Sequence, residues 1–551
     1  MKNRIITILS VFSLVLASGC GMISGYSYYI GAEKGGSDTG SDSGVVIDDG
    51  SIWVSPDGDD SGSGTIASPY LTIGKGVAAA VAAGGSKEVH VVGGTYDESV
   101  TVGDASSYYG VRILGGYGAF DTSSATRSRD AAVNVTKLAR LAIDGSFGAP
   151  ANGADSFVEG MTLFGLSIKN ASPTISGNVI SQGSASGVCR GGAAVTIETS
   201  AANNAEPVFS NNLMENKDCA YGGSVPIYVA VEARSLDQST LTPRFESNKI
   251  VSGTANTADI VLGLIAHAAK SSKVEPILNG NTVSTGAAAI FISAINIWAD
   301  SADSTANLNM AGNEVRAGSA PLSNGVDLGY DSIHDMAAFY NYAGIARNKI
   351  VGGDGGSLST ALSIANSSEV SSVVNNFISA GKSQDVGVWL SGINLENANA
   401  DIINNTIVAD SADIATLINL ISANGATNIV NNIMSATGAG AGFTGISEQA
   451  ADSAPATVLS NLFDSGLHVI YTGFAAGDIL TVADLAISYP LFDPNYFGDA
   501  LLVDPANMDL HISDGSAAID IADEAFAPAT DFDGAARPLG AASDIGADES
   551  M

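Results

Sequence analysis

The side chains able to hold a cation or move a proton are few in this sequence and thinly spread. Two acidic loops, Asp57, Asp59 and Asp60 near the start and Asp531 with Asp533 near the end, offer the hard oxygen ligands that calcium takes. Neither completes a calcium-binding loop, which also needs a closing glutamate, and Asp-Gly steps favour tight reversals. They are read as turns, with no metal ligand and no cofactor assigned; calcium is the one ion they would suit. The five histidines, His90, His267, His334, His468 and His511, share no motif, and a general base needs positioned partners. Lys249 and Lys349 fall at equivalent repeat positions, but three repeats of strand spacing put them roughly 15 Å apart, too far to act on one bond. Cys189 and Cys219 lie 30 residues apart, with no neighbouring Cys or His to share a metal. In an oxidising compartment they make a disulfide candidate. Arg190 and Asp218 sit beside them and would meet as a surface ion pair if those coils stack. No catalytic residue is assigned, and the residues lean against an enzyme.

What must position these groups is an internal repeat. Asn178, Asn212, Asn248, Asn281, Asn313, Asn348, Asn376, Asn405, Asn432 and Asn461 each stand three residues after one apolar residue and two before another, as in Ile175, Asn178 and Ile180. The steps between them are 34, 36, 33, 32, 35, 28, 29, 27 and 29 residues. Both flanks are apolar in all ten, although only 45% of the chain is hydrophobic. In the first four, a proline (Pro173, Pro207, Pro243, Pro276) stands five residues earlier, where a strand entry needs no ladder donor. Helical repeats of this period need long stretches of 3.6-residue periodicity. The segments here are short, β-branched and interrupted by Gly, Ser and Asn, which favours short strands and turns. Propeller blades repeat at roughly 40 to 50 residues with aromatic signatures, and neither is present. The spacing therefore predicts an all-β parallel β-helix solenoid, one coil per repeat.

Each asparagine then has a physical task at a sharp corner. Asn tolerates the left-handed backbone such a corner needs, and its amide can donate to and accept from the asparagine of the next coil. Coils about 4.8 Å apart would carry ten rungs over roughly 45 Å. The residue after each asparagine is expected outside: Val179, Leu213, Lys249, Thr282, Glu314, Lys349, Phe377, Thr406, Ile433 and Leu462, a mixed set read as solvent-facing.

The net charge of −34, from 57 acidic and 23 basic residues, repels nucleic acid and anionic membranes and favours cations, basic partners or neutral ligands. At the start, Lys2 and Arg4 precede an apolar run, Ile5 to Ala17, too short to span a bilayer as a mature helix. Ala17, Ser18 and Gly19 then lead into Cys20, which resembles a bacterial lipobox. The resemblance implies cleavage before Cys20 and lipidation of that residue, with 1–19 as signal peptide. Residues 20–50 are rich in Gly, Ser and Asp and read as a flexible tether.

Three further segments resemble bacterial right-handed β-helix proteins of the pectin-lyase-like type. The first holds Val54, Ser55, Pro56, Asp57 and Gly58, then Gly64, Thr65, Ser68, Pro69, a short helix over Lys75 to Ala83, and Gly94, Thr95, Tyr96 and Glu98. It resembles the opening of a β-helix domain of unknown function. The second runs from Ile113 to Tyr117, with Phe120, Arg129 and Asp130. The third is a closing tail with Asp520, Asp531, Asp533, Gly534, Arg537, Pro538, Asp544, Gly546 and Glu549; Asp548 stands where a tyrosine is usual. The resemblance implies the right-handed fold. It also implies that enzymes of this fold use calcium with Arg or Lys, or clustered aspartates with a Gly-His-Gly segment, which this chain lacks.

The organisation that follows is 51–140 as an N-terminal helical cap and first coils, 141–470 as repeated coils, and 471–551 as a C-terminal capping segment. The leading expectation is a non-catalytic, lipid-anchored protein of the bacterial envelope, at the outer membrane or cell surface. It would offer a repetitive surface to a polysaccharide or another surface protein. The alternatives are a carbohydrate-active lyase or glycoside hydrolase, and an adhesin. A groove on an outer strand face lined by acids with Arg or Lys would favour the enzyme; one lined by Ser, Thr and Ala would favour the scaffold.

Overall fold

The structure is a computed structural model that describes residues 45–46 and 50–550, except 86, 104–108, 121–126, 147–154, 184–191, 217–226, 254–257, 332–335, 384–387, 410–413, 423 and 438–441. Cys20, Cys189, Arg190, Asp218, Cys219 and His334 lie outside the described residues.

Every coil repeats three strands. A leading strand such as Val208–Ser210 runs into Asn212, a trailing strand Leu213–Asn216 follows, and a long strand Ile227–Ser235 completes the turn before the next leading strand, Arg244–Glu246. Successive coils pair in parallel and in register: Phe209 with Phe245, Met214 with Ile250, Val231 with Leu264. This is an all-β parallel β-helix, wound in the right-handed sense usual for parallel crossovers. The two apolar positions around each asparagine point inward and are buried from Ile175 and Ile180 to Val458 and Phe463. They stack into two columns that fill the interior.

The asparagines form a continuous buried ladder. Each Nδ2 donates to Oδ1 of the next at 2.9–3.1 Å. Each backbone N–H donates to the same oxygen at 2.8–3.0 Å. At the near end the N–H of Met161, which holds the equivalent position one coil earlier, donates to Asn178. At the far end Asn461 donates to Asn495. Asn495 thus makes an eleventh rung inside the segment read as cap from its loss of the period. Its flanks, Phe492 and Phe497, fit the template, but the 34-residue step, long after a run of short ones, hid it.

Two further expectations are corrected. The ladder asparagines are not the left-handed residues. The residue before each of the first ten is, at φ between +51° and +65°, whether Gly177, Asn211, Ser247, Arg347 or Ser460. The ladder amide is committed to its neighbours, and the corner is turned one position earlier. The outward list is also not uniformly solvent-facing. Val179 and Lys249 are exposed, but Phe377, Thr406, Ile433 and Leu462 are fully buried.

The chain covers that side itself. After the Asn495 rung it folds back along the trailing face, packing Ala500, Ile512, Ala518 and Ile545 on Ile433 and Leu462, and Met508, Leu510 and Ala547 on Phe377 and Val408. Asn375, Asn404 and Asn431, each preceding a ladder asparagine, donate to the tail carbonyls of Thr530, Asp544 and Gly546, and Asp523. So the tail straps the flank of the last coils. The ends are closed by helices. Ile73–Ala82 buries Ile73, Gly76, Val77 and Ala80 against the first strands, with Glu98 accepting from the N–H groups of Ile73 and Gly74. Val482–Ser488 buries Leu485 at the far end. Among the described residues no helix is long and apolar enough to cross a membrane.

Candidate functional site

The long strands present the outer face with the most chemistry. Side chains alternate along a strand, and in-register stacking turns each outward position into a row. One row on the later coils is Leu322, Leu358, Trp389 and Ile414. All four are exposed, at 39–42%. Beside it run Asn324, Thr360, Ser391 and Thr416, then Asp327, Ser363, Asn394 and Asn419. The rows enclose a cleft of about 410 Å³ between Trp389 and Gln449. Its floor is an amide chain: Asn419 Nδ2 donates to Asn394 Oδ1 at 2.8 Å, and Gln449 Nε2 donates to Asn419 Oδ1 at 3.0 Å. Nδ2 of Asn394 and Oε1 of Gln449 have no protein partner among the described residues. Glu396 adds one carboxylate to the lining, so the arrangement can accept and donate hydrogen bonds to hydroxyl-bearing ligands beside an apolar rim.

The same face on the first long strands is charged. A cleft of about 560 Å³ gathers Arg140, Lys169, Glu198, Glu232 and Arg234. Arg234 reaches Glu198 at 3.6 Å and Glu232 at 3.5 Å. Burial raises the Glu232 carboxyl above its ordinary range, opposed by Arg234 and reinforced by Glu198. On the long strands between them, Leu262, Ile265, Phe291 and Trp298 belong to a buried apolar cluster.

The residues singled out by sequence are not brought together into one site. Lys249 and Lys349 stand in one column three coils apart, through Thr282 and Glu314. Lys349 lies over the Phe377 and Phe532 rings at 5.9 and 5.8 Å. Asp59 and Asp60 are used locally: Asp59 accepts from Ser61, and Asp60 accepts from the N–H groups of Leu71 and Thr72. His90 is buried against Trp53 and Tyr117 and bonded to Glu88 at 3.0 Å. That bond, with Arg112, draws the Glu88 carboxyl down to about 2. His267 packs on Trp298, and His468 accepts from the Phe443 N–H.

His511 is the exception that sequence reasoning missed. Its Nδ1 faces Asp509 and its Nε2 meets Asp533 at 2.9 Å, with Asp548 close by. One possible ligand atom from each of His511, Asp533 and Asp548 lies within 4.8 Å of the others. Both ring nitrogens already face carboxylates, so the geometry is that of a protonated imidazolium bridging two acids. Burial pulls the His511 pKa down, but Asp509, Asp548 and Asp533 together hold it above its ordinary value. A raised histidine pKa stabilises the fold fully below the ordinary range near 6.5 and loses that contribution as pH rises through the folded value. Amide exchange of the 509–533 segment is therefore expected to accelerate several-fold, beyond the intrinsic exchange rate, as pH rises from below the ordinary histidine range near 6.5 through the raised value. His511→Gln should abolish that pH-dependent excess. An equal excess in both proteins would remove His511 as its source.

The charged cleft was invisible in sequence because its residues lie in long strands whose distance from the ladder varies. The inward residue of the long strand falls 10 residues after the asparagine at Tyr471 and 19 after it at Val231.

No protein-family model matches the chain, and no curated protein matches it. Among solved structures, a complex of XylC with xylose is similar at a TM-score of 0.37 and 9% identity, over 90% of this chain and 98% of that one. The fold assignment rests on the strand register and the ladder described above.

Proposed function

We propose that this is a lipid-anchored protein of the bacterial envelope whose long-strand face binds a polysaccharide lengthwise, without itself performing chemistry on it. The observation that carries this reading is the exposed row Leu322, Leu358, Trp389 and Ile414, stacked coil on coil beside rows of hydroxyl and amide side chains. Contiguous exposed apolar surface rimmed by polar groups marks a binding site. Sugars offer apolar C–H faces to an indole and hydroxyls to amides. A repeating ligand suits a repeating surface, because each coil offers the same contacts again. Trp389→Ala should weaken binding of the cognate polysaccharide at least tenfold in affinity electrophoresis or on a glycan array, with an unchanged melting curve. Undiminished binding would exclude this groove, and binding only to a cell-surface protein would favour the adhesin.

The cleft at Glu198, Glu232 and Arg234 favours a second reading, a carbohydrate-active lyase or hydrolase. Release of unsaturated or reducing ends from a bound polysaccharide would replace the first reading with it. The anchor rests on Cys20 and the small residues before it. Cells fed labelled fatty acid should label the wild-type chain and not the Cys20→Ala variant; label on both would refute anchoring there.

A further inference from the structure

We propose that His511, Asp533 and Asp548 form a binding site for a divalent transition metal of the zinc class, which staples the C-terminal strap. The inference stands apart from the long-strand face and does not require the binding proposed there. It rests on more than a group of acids, because the histidine is already held as a metal ligand is held. Asp509 faces Nδ1 and fixes that nitrogen as the N–H donor, so Nε2 points at Asp533, 2.9 Å away. A ligating histidine almost always commits its other ring nitrogen to a carboxylate, a carbonyl or water, which sets the ring's orientation and raises the basicity of the ligating nitrogen. The Phe377 ring stands edge to face with the imidazole, 5.0 Å between centroids, and supplies an apolar wall.

Asp548 is an independent observation. It is 7% exposed, and its Oδ2 accepts from the Ile512 N–H at 2.8 Å, which registers it against the strand Asp509–Ile512 that carries His511. A carboxylate buried this far is paired or ligates a metal. Among the described residues no lysine or arginine stands at ion-pair distance from it, and Arg537 is committed to Glu549. Three carboxylates, Asp509, Asp533 and Asp548, surround one imidazole. Lys349 lowers Asp509 from over the Phe377 and Phe532 rings, and the group still carries a negative surplus that a dication offsets. Asp531, beside Asp533 in the same loop, accepts from the Ala535 N–H and is no ligand. Bonds near 2.1 Å set the ligands of a tetrahedral zinc roughly 3.3 Å apart. The three ligand atoms already lie within 4.8 Å, and the Asp533 side chain, 62% exposed, has room to swing inward. On binding, Nε2 gives its proton to solvent and bonds the metal, and water completes the coordination. The imidazole nitrogen selects zinc-class metals over calcium and magnesium. The ligands come from a strand, a turn and the segment clamped by Arg537, so the free energy of metal binding becomes stability of the strap.

The test is calorimetric titration of the chelator-treated full chain with zinc chloride, with calcium and magnesium chloride in parallel, and protease digestion of the tail with and without zinc. Wild type should bind one more equivalent of zinc than His511→Gln or Asp533→Asn, and should hold it at least about ten times more tightly than calcium or magnesium. Zinc should slow cleavage within 499–550 by about fivefold or more in wild type and leave both variants unchanged. Cobalt(II) in place of zinc should give visible absorption bands that both substitutions remove, a signature that a merely structural histidine does not produce. Asp533→Asn, at an exposed residue, should keep the circular dichroism of the metal-free wild type, so a loss of zinc there is not a loss of fold. Equal zinc stoichiometry and affinity in all three proteins overturns the inference. So does calcium binding as tight as zinc, or zinc binding that leaves cleavage of the tail unchanged.

Discussion

Asn313→Ala is expected to cost about 3–6 kcal/mol of stability, from several buried hydrogen bonds lost at about 1–3 kcal/mol for each group left unsatisfied. Asn313 Oδ1 accepts from the backbone N–H and the Nδ2 of Asn281 at 2.8 and 2.9 Å. Its Nδ2 donates to the carbonyls of Leu278 and Ala311 and to Asn348 Oδ1 at 2.9, 3.1 and 2.9 Å. Truncation strands groups on the coils either side, in an interior that water does not reach. Asn313→Asp should be worse, because an ionised carboxylate keeps the acceptor, loses both donors and adds a buried charge. Urea denaturation followed by circular dichroism checks both, with Lys249→Ala as an exposed control expected within about 0.5 kcal/mol of wild type. Because each coil leans on its neighbours, the loss should appear first in the coils of Asn281 and Asn348, as local exchange of their amides. A cost below about 1 kcal/mol for Asn313→Ala would mean that the ladder accompanies the stacking without sustaining it.

The second large effect is expected at Arg537. Its side chain is 1% exposed, and its Nη1 donates to Glu549 at 2.8 Å and to the Asp544 carbonyl at 2.7 Å. Nη2 donates to the carbonyls of Gly546 and Asp548 at 2.8 and 3.2 Å. This clamp shapes the turn that docks on the coils, where Gly546 N–H donates to the Asn431 carbonyl and Ala547 N–H to Thr406 Oγ1. Arg537→Ala leaves Glu549 buried without its counter-charge, a change that typically costs about 3–5 kcal/mol. The expected result is release of the tail: protease cleavage within 499–550 and dye binding to the uncovered Phe377, Ile433 and Leu462. Pairing Arg537→Met with Glu549→Gln should recover part of the loss, since it removes both charges together. A tail that stays protected in Arg537→Ala would show that apolar contacts alone hold it.

Tail docking also explains why the outward positions were misjudged. Lys249, Thr282 and Glu314 are polar, whereas Phe377, Ile433 and Leu462 are apolar, and the change falls where Asn375, Asn404 and Asn431 turn their rungs into Asn-Asn doublets. Read as one mixed list, these positions pass for a solvent face. Read in chain order, the last four positions, Phe377, Thr406, Ile433 and Leu462, are those the strap buries, but residue type alone does not mark that edge, since Val179 and Leu213 outside it are apolar and Thr406 beneath it is polar.

What the amino-acid sequence determined alone is the coil: strand, asparagine, strand, with one apolar residue three positions before each asparagine and another two after. That information is local, because the residues that set a corner and the residues that fill the interior beside it lie within six positions of one another, and repetition makes the pattern visible. The rows of the long face, the charged cleft, the clamp at Arg537 and the bridge at His511 were decided only by tertiary structure. Their members meet across loops of unequal length or across more than a hundred residues, as Asn404 meets Gly546. A side chain's partner on the next coil depends on how many residues the intervening loop consumes, and nothing in the short-range pattern counts them.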